Sequence, residues 1–528
     1  MDFRITVTKK YLTMPVSRAN DTQKVYFLDG DTLVYDLDVR LPMQGQDSDF
    51  TAFVDMSRFN GRTLTLRCAH TPFSFSFADE VPSDTPAEQS ARPAAHFTVP
   101  NGWNNDPNGM ILRGGVYHVY YQFNPCAPMW GNMHWGHAVS RDLIHWDDLG
   151  IVLYPDEYGT IYSGCAFLDE HNVSGLGTSE NPPILFYYTA AGSGNDMSNG
   201  KPATQRLAYS LDGGYTLIKY PEVILEHIEA YNRDPKVVWV PELGRYCMVL
   251  YTNENDFWFF YSDDLLHWDK QYKVPIAWDS ECPNLVSVPV EGEDKSMWVL
   301  FGASGRYYVG EFRDGVFTPV QDQGKPHFET ANYAGQCFDN LPVGRAIRID
   351  WYTGAIEGKR WSQAMSIPMD LTLRRINGFY YLCHNPVAAV DDAKRFERLL
   401  SGLTVTADKP YSIPFGEAAD GKCVDVRVTV PFDGKTVFGL SMYGRSLIFD
   451  MAQNRCFLPG GKGCPLVLDG DAALKLRVLF DTCTAEVFTQ DGLFTASANG
   501  SCDPTDKALI VTAKDTVTLG LSVRSLIM

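Results

Sequence analysis

Three short segments recur along the middle of the chain: Ser140-Arg141-Asp142-Leu143-Ile144-His145-Trp146, Ser210-Leu211-Asp212-Gly213-Gly214-Tyr215 and Ser262-Asp263-Asp264-Leu265-Leu266-His267-Trp268. Each follows a strand-like run and ends in an aromatic residue, and their starts lie 70 and 52 residues apart. Repeats of this length with β character suit the blades of a propeller whose loops are unequal. A propeller gathers its innermost strands about one axis, so side chains distant in sequence meet in a central funnel. The reading is an all-β propeller over residues 93–385.

At 528 residues the chain is too long for one core, and two or three domains are expected. Residues 1–88 read as a small N-terminal β domain with a tight hairpin at Asp29-Gly30-Asp31 and no catalytic constellation. The turn-rich stretch Val81 to Glu88 reads as a linker. Segment 386–400 holds the most helix-like pattern in the chain, Ala388 to Leu400, and reads as a helical bridge. Residues 401–528 resume strands with turns at Asp433-Gly434, Gly460-Gly461, Asp469-Gly470 and Asp491-Gly492, as a β-sandwich requires.

The formal net charge of −19 argues against nucleic acid or an anionic membrane surface as a partner and suits a neutral substrate such as a sugar. The N-terminus alternates like a strand and has no apolar run of leader length, and no run approaches membrane-spanning length. The twelve cysteines include no Cys-x-x-Cys pair. The expectation is a cytoplasmic protein with reduced, buried thiols, or a secreted one if a leader has been trimmed.

Chemistry concentrates in Asn101-Gly102-Trp103-Asn104-Asn105-Asp106-Pro107-Asn108-Gly109. Asp106 before Pro107 is kept out of helix, and Asn108-Gly109 favours a bend. Trp103 offers a flat apolar face to a sugar ring, and Asn104, Asn105 and Asn108 offer amides to its hydroxyls. Two further acidic segments follow, Tyr231-Asn232-Arg233-Asp234-Pro235-Lys236 and Ser280-Glu281-Cys282-Pro283-Asn284.

In that order the three segments resemble the Trp-x-Asn-Asp-Pro-Asn-Gly, Arg-Asp-Pro and Glu-Cys-Pro signatures of glycoside hydrolase family thirty-two, the invertases, inulinases and levanases. The resemblance covers residues from about 93 to 528 and is weakest in the last third. It implies a five-bladed propeller followed by a β-sandwich, and a retaining, exo-acting β-fructosidase needing no cofactor and no metal. It implies Asp106 as nucleophile, Glu281 as general acid and base, and Asp234 as transition-state stabiliser. In retaining enzymes the two working carboxyl groups stand about 5–5.5 Å apart. Glu281 must hold a proton while Asp106 stays ionised, so Glu281 is expected in the more apolar or more acid-crowded surroundings. Arg233 is expected to favour ionised carboxylates beside it.

The resemblance extends to Gln122, Trp130 and Ser163 as substrate-binding residues, with Trp135 in the aromatic wall, and Asn105, Arg233 and Tyr333 are read as further substrate-binding residues of the same pocket. Cys165 stands where the family has a second serine after Ser163-Gly164. Asn232 and Asn284 depart from the family pattern and are expected to tune the pocket. His134 and His137 could suggest a metal, but no third ligand is spaced nearby and the chemistry needs none. The expected partner is a fructose-containing oligo- or polysaccharide. An endo-acting levanase or inulinase and a fructosyltransferase would use the same carboxylates. A non-catalytic fructan-binding protein would be expected to lack one of them, and all three are present.

Overall fold

The computed structural model describes residues 1–528 apart from 70–72, 326–330, 358–359, 416–421, 461–462, 469, 501–502, 504 and 527–528. Cys502 and parts of the turns read at Gly460-Gly461 and Asp469-Gly470 therefore lie outside the described residues. The eleven described cysteines are buried thiols. Among the described residues no helix is long and apolar enough to cross a membrane.

The central unit is a propeller of five antiparallel blades. Their innermost strands are Gly102–Arg113, Thr160–Leu168, Arg233–Val240, Asn284–Pro289 and Asn332–Cys337. Each lies against the next around the ring, and the fifth returns to the first. Strand Trp361–Met365 closes the ring: it pairs antiparallel with Ile347–Glu357 of the fifth blade and parallel with Gly102 and Trp103 of the first. Apolar side chains fill the spaces between blades, as where Cys165, Tyr187 and Leu207 of the second meet Val237, Met248 and Phe260 of the third.

The recurring segments join the third and fourth strands of the first three blades. In each, the serine hydroxyl accepts a backbone N–H three or four residues on, from Leu143, Gly214 or Leu265 at 2.8–2.9 Å. The aspartate Oδ1 accepts two more, at 2.8–3.1 Å. These bonds hold Leu143 and Leu265 at φ of 70° and 66°, a left-handed conformation that leucine rarely adopts unaided. The motif repeats because this turn needs those acceptors.

The described residues among the first 78 form two packed sheets, ordered Asp2–Thr6, Thr63–Cys68, Gln23–Asp29, Thr32–Val39 and Phe50–Asp55, Tyr11–Val16, Ser76–Ala78. Asp29 and Thr32 are paired across a two-residue loop, with Gly30 at φ 59°. Within the stretch read as a linker, a helix begins at Pro86 and runs to Ala91. Thr85 and Glu88 cap it reciprocally. The pattern Thr85-Pro86-Ala87-Glu88 carried that signal.

The C-terminal sandwich packs a six-stranded sheet on a five-stranded one, with Val424, Val426, Val428 and Val430 turned into the core. The expected helix over 388–400 is corrected: only Ala388–Asp392 is helical, and Lys394–Thr406 is an edge strand paired with Thr516–Leu526. Tertiary pairing outweighs helix propensity here, because a long neighbouring strand offers its whole ladder. Phe396 and Leu399 of this strand face solvent.

A buried charge cluster joins propeller and sandwich. His96 lies between Asp481 (3.0 Å) and Glu486 (3.2 Å), and Asp481 also accepts the N–H groups of Ala94 and Ala95. Burial opposes charge on the imidazole, but Glu486 and Asp481 outweigh it and raise His96 to about 9. A folded-state value above the unfolded one means stability fully present below about pH 6.5 and lost as pH rises through about 9. Thermal unfolding followed from pH 6 to 9.5 should show the melting temperature falling across this window. His96→Gln should flatten that slope, and an unchanged slope would remove His96 as its cause.

Candidate active site

The chemistry-bearing motifs lie at or just before the beginnings of innermost strands, and the ladders of the first, second, third and fifth blades are interrupted there. Register shifts fall between Asn104 and Pro107, Ile161 and Gly164, Arg233 and Lys236, and Tyr333 and Gln336. A bulge turns an extra residue off the sheet and re-aims its side chain. Proline suits such a place, having no N–H to leave unpaired, which accounts for Asp106-Pro107 and Asp234-Pro235. Asp234, Glu281, Cys282 and Ala334 have φ of 65°, 59°, 40° and 50°. Four non-glycine residues in the left-handed region at one site are a local strain held by the surrounding fold.

Asp106 is braced on both oxygens. Its Oδ2 accepts the Ser163 hydroxyl at 2.7 Å, and Oδ1 accepts the Asn105 amide at 3.0 Å. Behind these stand two relays. Gln122 donates to Ser163 at 3.0 Å, and the Trp103 indole N–H donates to Asn105 at 2.9 Å. Burial pushes the Asp106 carboxyl above its ordinary value, while the bonds from Ser163 and Asn105 pull it back. Gln122 is thus placed behind the carboxylate as a brace.

Asp234 faces the same space. The Cys282 backbone N–H donates to its Oδ2 at 3.1 Å. The Cys282 sulfur lies 3.6 Å from Asp234 Oδ2 and 3.7 Å from Asp106 Oδ2, between the two carboxylates. Burial, with Glu281 and Asp106 adding like charge, raises Asp234 to about 7. Arg233 opposes this from 3.6 Å and is outweighed, so its expected effect on Asp234 is present but does not prevail.

Glu281 accepts from Arg233 Nη2 at 2.9 Å and from the Tyr333 hydroxyl at 3.4 Å. Its side chain is 33% exposed, against 5% for Asp234. The expectation that Glu281 lies in more apolar surroundings than Asp106 is not met: burial pushes the Asp106 carboxyl up, whereas Glu281 stands one-third exposed. Glu281 stands at the mouth because its loop precedes the fourth innermost strand. Asp279 pins that loop by accepting the N–H groups of Ser280, Ser304 and Arg306 at 2.8–2.9 Å.

Around the carboxylates run two aromatic walls. On one side Trp351 lies edge-on to both Trp103 and Tyr333, at 5.9 and 6.1 Å. On the other, Trp130 is 54% exposed and meets the edge of Tyr162 at 6.0 Å. Trp135 does not join them: it is fully buried among Tyr120 and Tyr188, a core residue. Cys165 is buried and its sulfur accepts the Val237 N–H, tying the second blade to the third. Asn232 and Asn284, expected to tune the pocket, are buried ties: Asn284 spans to Gly335 and Cys337 of the fifth blade. His134 bonds Tyr35, and His137 bonds His118.

Sequence reasoning passed over Asp279, Trp351, Tyr162 and the placing of Cys282 between two carboxylates. The Asp279-Ser280 pair carried a turn signal, since an aspartate readily accepts N–H groups just beyond it. The other three carried none, because their neighbours belong to other blades.

Residues 96–386 match the family described as the glycosyl hydrolases family 32 N-terminal domain. A levanase of Bacillus subtilis is 29% identical over 472 residues, covering 79% of this chain and 68% of the levanase. An invertase of Schizosaccharomyces pombe is 35% identical over 316 residues, covering 54% of this chain and about half, 53%, of the invertase. The crystal structure of an exo-inulinase from Aspergillus awamori superposes with a TM-score of 0.73 at 24% identity, covering 84% of this chain and 99% of that one. A β-fructofuranosidase from Schwanniomyces occidentalis, solved with fructosyl-erythritol, gives 0.73 at 25%, covering 83% and 98%.

Proposed function

The chain belongs to the glycosyl hydrolases of family 32, and from that premise we propose that it is a retaining, exo-acting β-fructosidase that releases fructose from fructo-oligosaccharides, levan- or inulin-type fructans and sucrose. The observation that carries this reading is the convergence of Asp106, Asp234 and Glu281, from three different blades, on one funnel beside Arg233.

In the first step Asp106 attacks the anomeric carbon as Glu281 gives a proton to the departing oxygen, leaving a fructosyl ester on Asp106. In the second, Glu281 takes a proton from water, which displaces the ester and restores the original configuration. Asp234 faces the sugar hydroxyls and supports the oxocarbenium-like charge. Ser163 and Asn105 hold Asp106 in place for attack. Tyr333 and Arg233 orient Glu281. The aromatic walls receive the apolar faces of the sugars.

The test is fructose release from sucrose, inulin-type and levan-type oligomers and both polymers, followed against pH. Free fructose as first product supports the exo-hydrolase, and oligomers as first products would replace it with an endo-acting one. Burial, with like charge from Glu281 and Asp106, raises Asp234 to about 7, so Asp234 gains its negative charge as pH rises through the neutral range. Because it supports the oxocarbenium-like charge as a carboxylate, kcat/KM should rise across that range. A profile with no change between about pH 6 and 8 would count against Asp234 as the stabilising carboxylate.

A further inference from the structure

The family match begins at residue 96, so it says nothing of the N-terminal β module. That module grips one loop of the catalytic unit, residues 125–133, at both ends. At one end Cys126 is fully buried in the module's own apolar core, among residues such as Val25, Leu37 and Phe73. At the other, the Asn132 side chain pairs with the backbone of Asp38 as a neighbouring strand would. Its Oδ1 accepts the Asp38 N–H and its Nδ2 donates to the Asp38 carbonyl, both at 2.8 Å. Between these anchors stands Trp130, exposed at the rim of the funnel.

A third tie fixes the loop's exit. His134 Nδ1 faces the Asn132 carbonyl, which can only accept, so the proton sits on Nδ1. The Nε2 is then the acceptor for the Tyr35 hydroxyl of the module, at 2.7 Å. Asn132 itself is at φ 45°, a conformation that asparagine and glycine tolerate. A second contact lies beside the first: Tyr26 donates to Asp196 of the second blade at 2.7 Å, and Lys24 pairs with Asp36, Asp38 and Asp196.

We propose that the N-terminal module is a specificity element of the hydrolase: by latching the loop at Cys126, Asn132 and His134, it holds Trp130 where the outer sugars of an oligosaccharide leaving group pass. This rests on the β-fructosidase reading and adds to it a job for the module. A latched indole meets a second or third sugar with its rim position already fixed, whereas a loose one must be ordered on binding. Substrates with a single sugar as leaving group gain least from it.

The test compares kcat/KM for a fructo-oligosaccharide and for sucrose in Asn132→Gly, Tyr35→Phe and Trp130→Ala. Asn132→Gly removes the two side-chain bonds to Asp38, leaves the ties at Cys126 and His134 and keeps the left-handed backbone available. Tyr35→Phe is the milder second variant should the first unfold, and thermal melts establish folding. The oligosaccharide-to-sucrose ratio should fall about fivefold in Trp130→Ala and Asn132→Gly, and by a smaller factor in Tyr35→Phe. The double variant Asn132→Gly with Trp130→Ala should be no worse than Trp130→Ala alone, because the latch acts through the indole. The proposal is overturned if the latch variants keep the native ratio, or if their effect multiplies with that of Trp130→Ala. Failure of the native chain to release fructose from either sugar would instead bring down the β-fructosidase reading, and the specificity role with it.

Discussion

Asp106→Asn is expected to lower fructose release by about 10⁴-fold or more on every substrate. The size follows from what the side chain does. An amide of the same shape keeps the bonds to Ser163 and Asn105 in altered polarity but cannot form the fructosyl ester, so no covalent route remains. The loss should be equally deep whatever the leaving group, since the missing step is the attack itself. Binding should survive: with the three-blade funnel intact, a fructo-oligosaccharide still meets Asp234 and the aromatic walls, and calorimetry with the variant should return a dissociation constant near the native KM. Removing a buried charge also relieves repulsion within the cluster, since Asp106 adds to the raising of Asp234. The variant should therefore melt no lower than the native chain. A variant that lost activity through misfolding would fail both the binding and the melting measurements, and one retaining a tenth of the native rate would remove Asp106 from the nucleophile's role.

The three carboxylates were legible because each motif is local: an acid, a nearby proline and a small or polar neighbour mark an irregular start to a strand. What made them a site was not local. Ser163 could be placed near the chemistry only through the family resemblance, yet its bond to Asp106 crosses 57 positions of sequence. Trp351 and Tyr162 sit in runs that read as ordinary strand. Their inward facing is decided by bulges, and a one-residue slip in a strand exchanges its faces. The same limit explains the strand at Lys394–Thr406. Its own residues favour helix, and the deciding partner, Thr516–Leu526, lies more than a hundred residues on. The Asn132 latch was invisible for the same reason: its partner, Asp38, lies 94 positions away.

Glu281→Gln should produce a loss that depends on the leaving group, and this separates its role from that of Asp106. A sugar alkoxide is a poor leaving group, so without a proton donor the first step on sucrose should slow by about 10²–10⁴-fold. An aryl fructoside departs as a stable phenolate and needs little protonation, so its first step should stay close to the native rate. The second step still needs a base to activate water, and glutamine cannot supply one. The fructosyl ester on Asp106 should then accumulate, seen as a burst of phenol followed by slow turnover and as an added fructosyl mass on the intact protein. Azide, already a nucleophile and needing no base, should restore turnover and yield the β-configured fructosyl azide, since it attacks the ester from the face water would use. The structure gives this variant room to behave so. Glu281 stands at the open mouth, its loop is held by Asp279 rather than by its own carboxylate, and glutamine can keep the contact from Tyr333. A loss of the same depth for aryl and sugar leaving groups, with no burst and no rescue, would show that Glu281 orders the site without handling the proton.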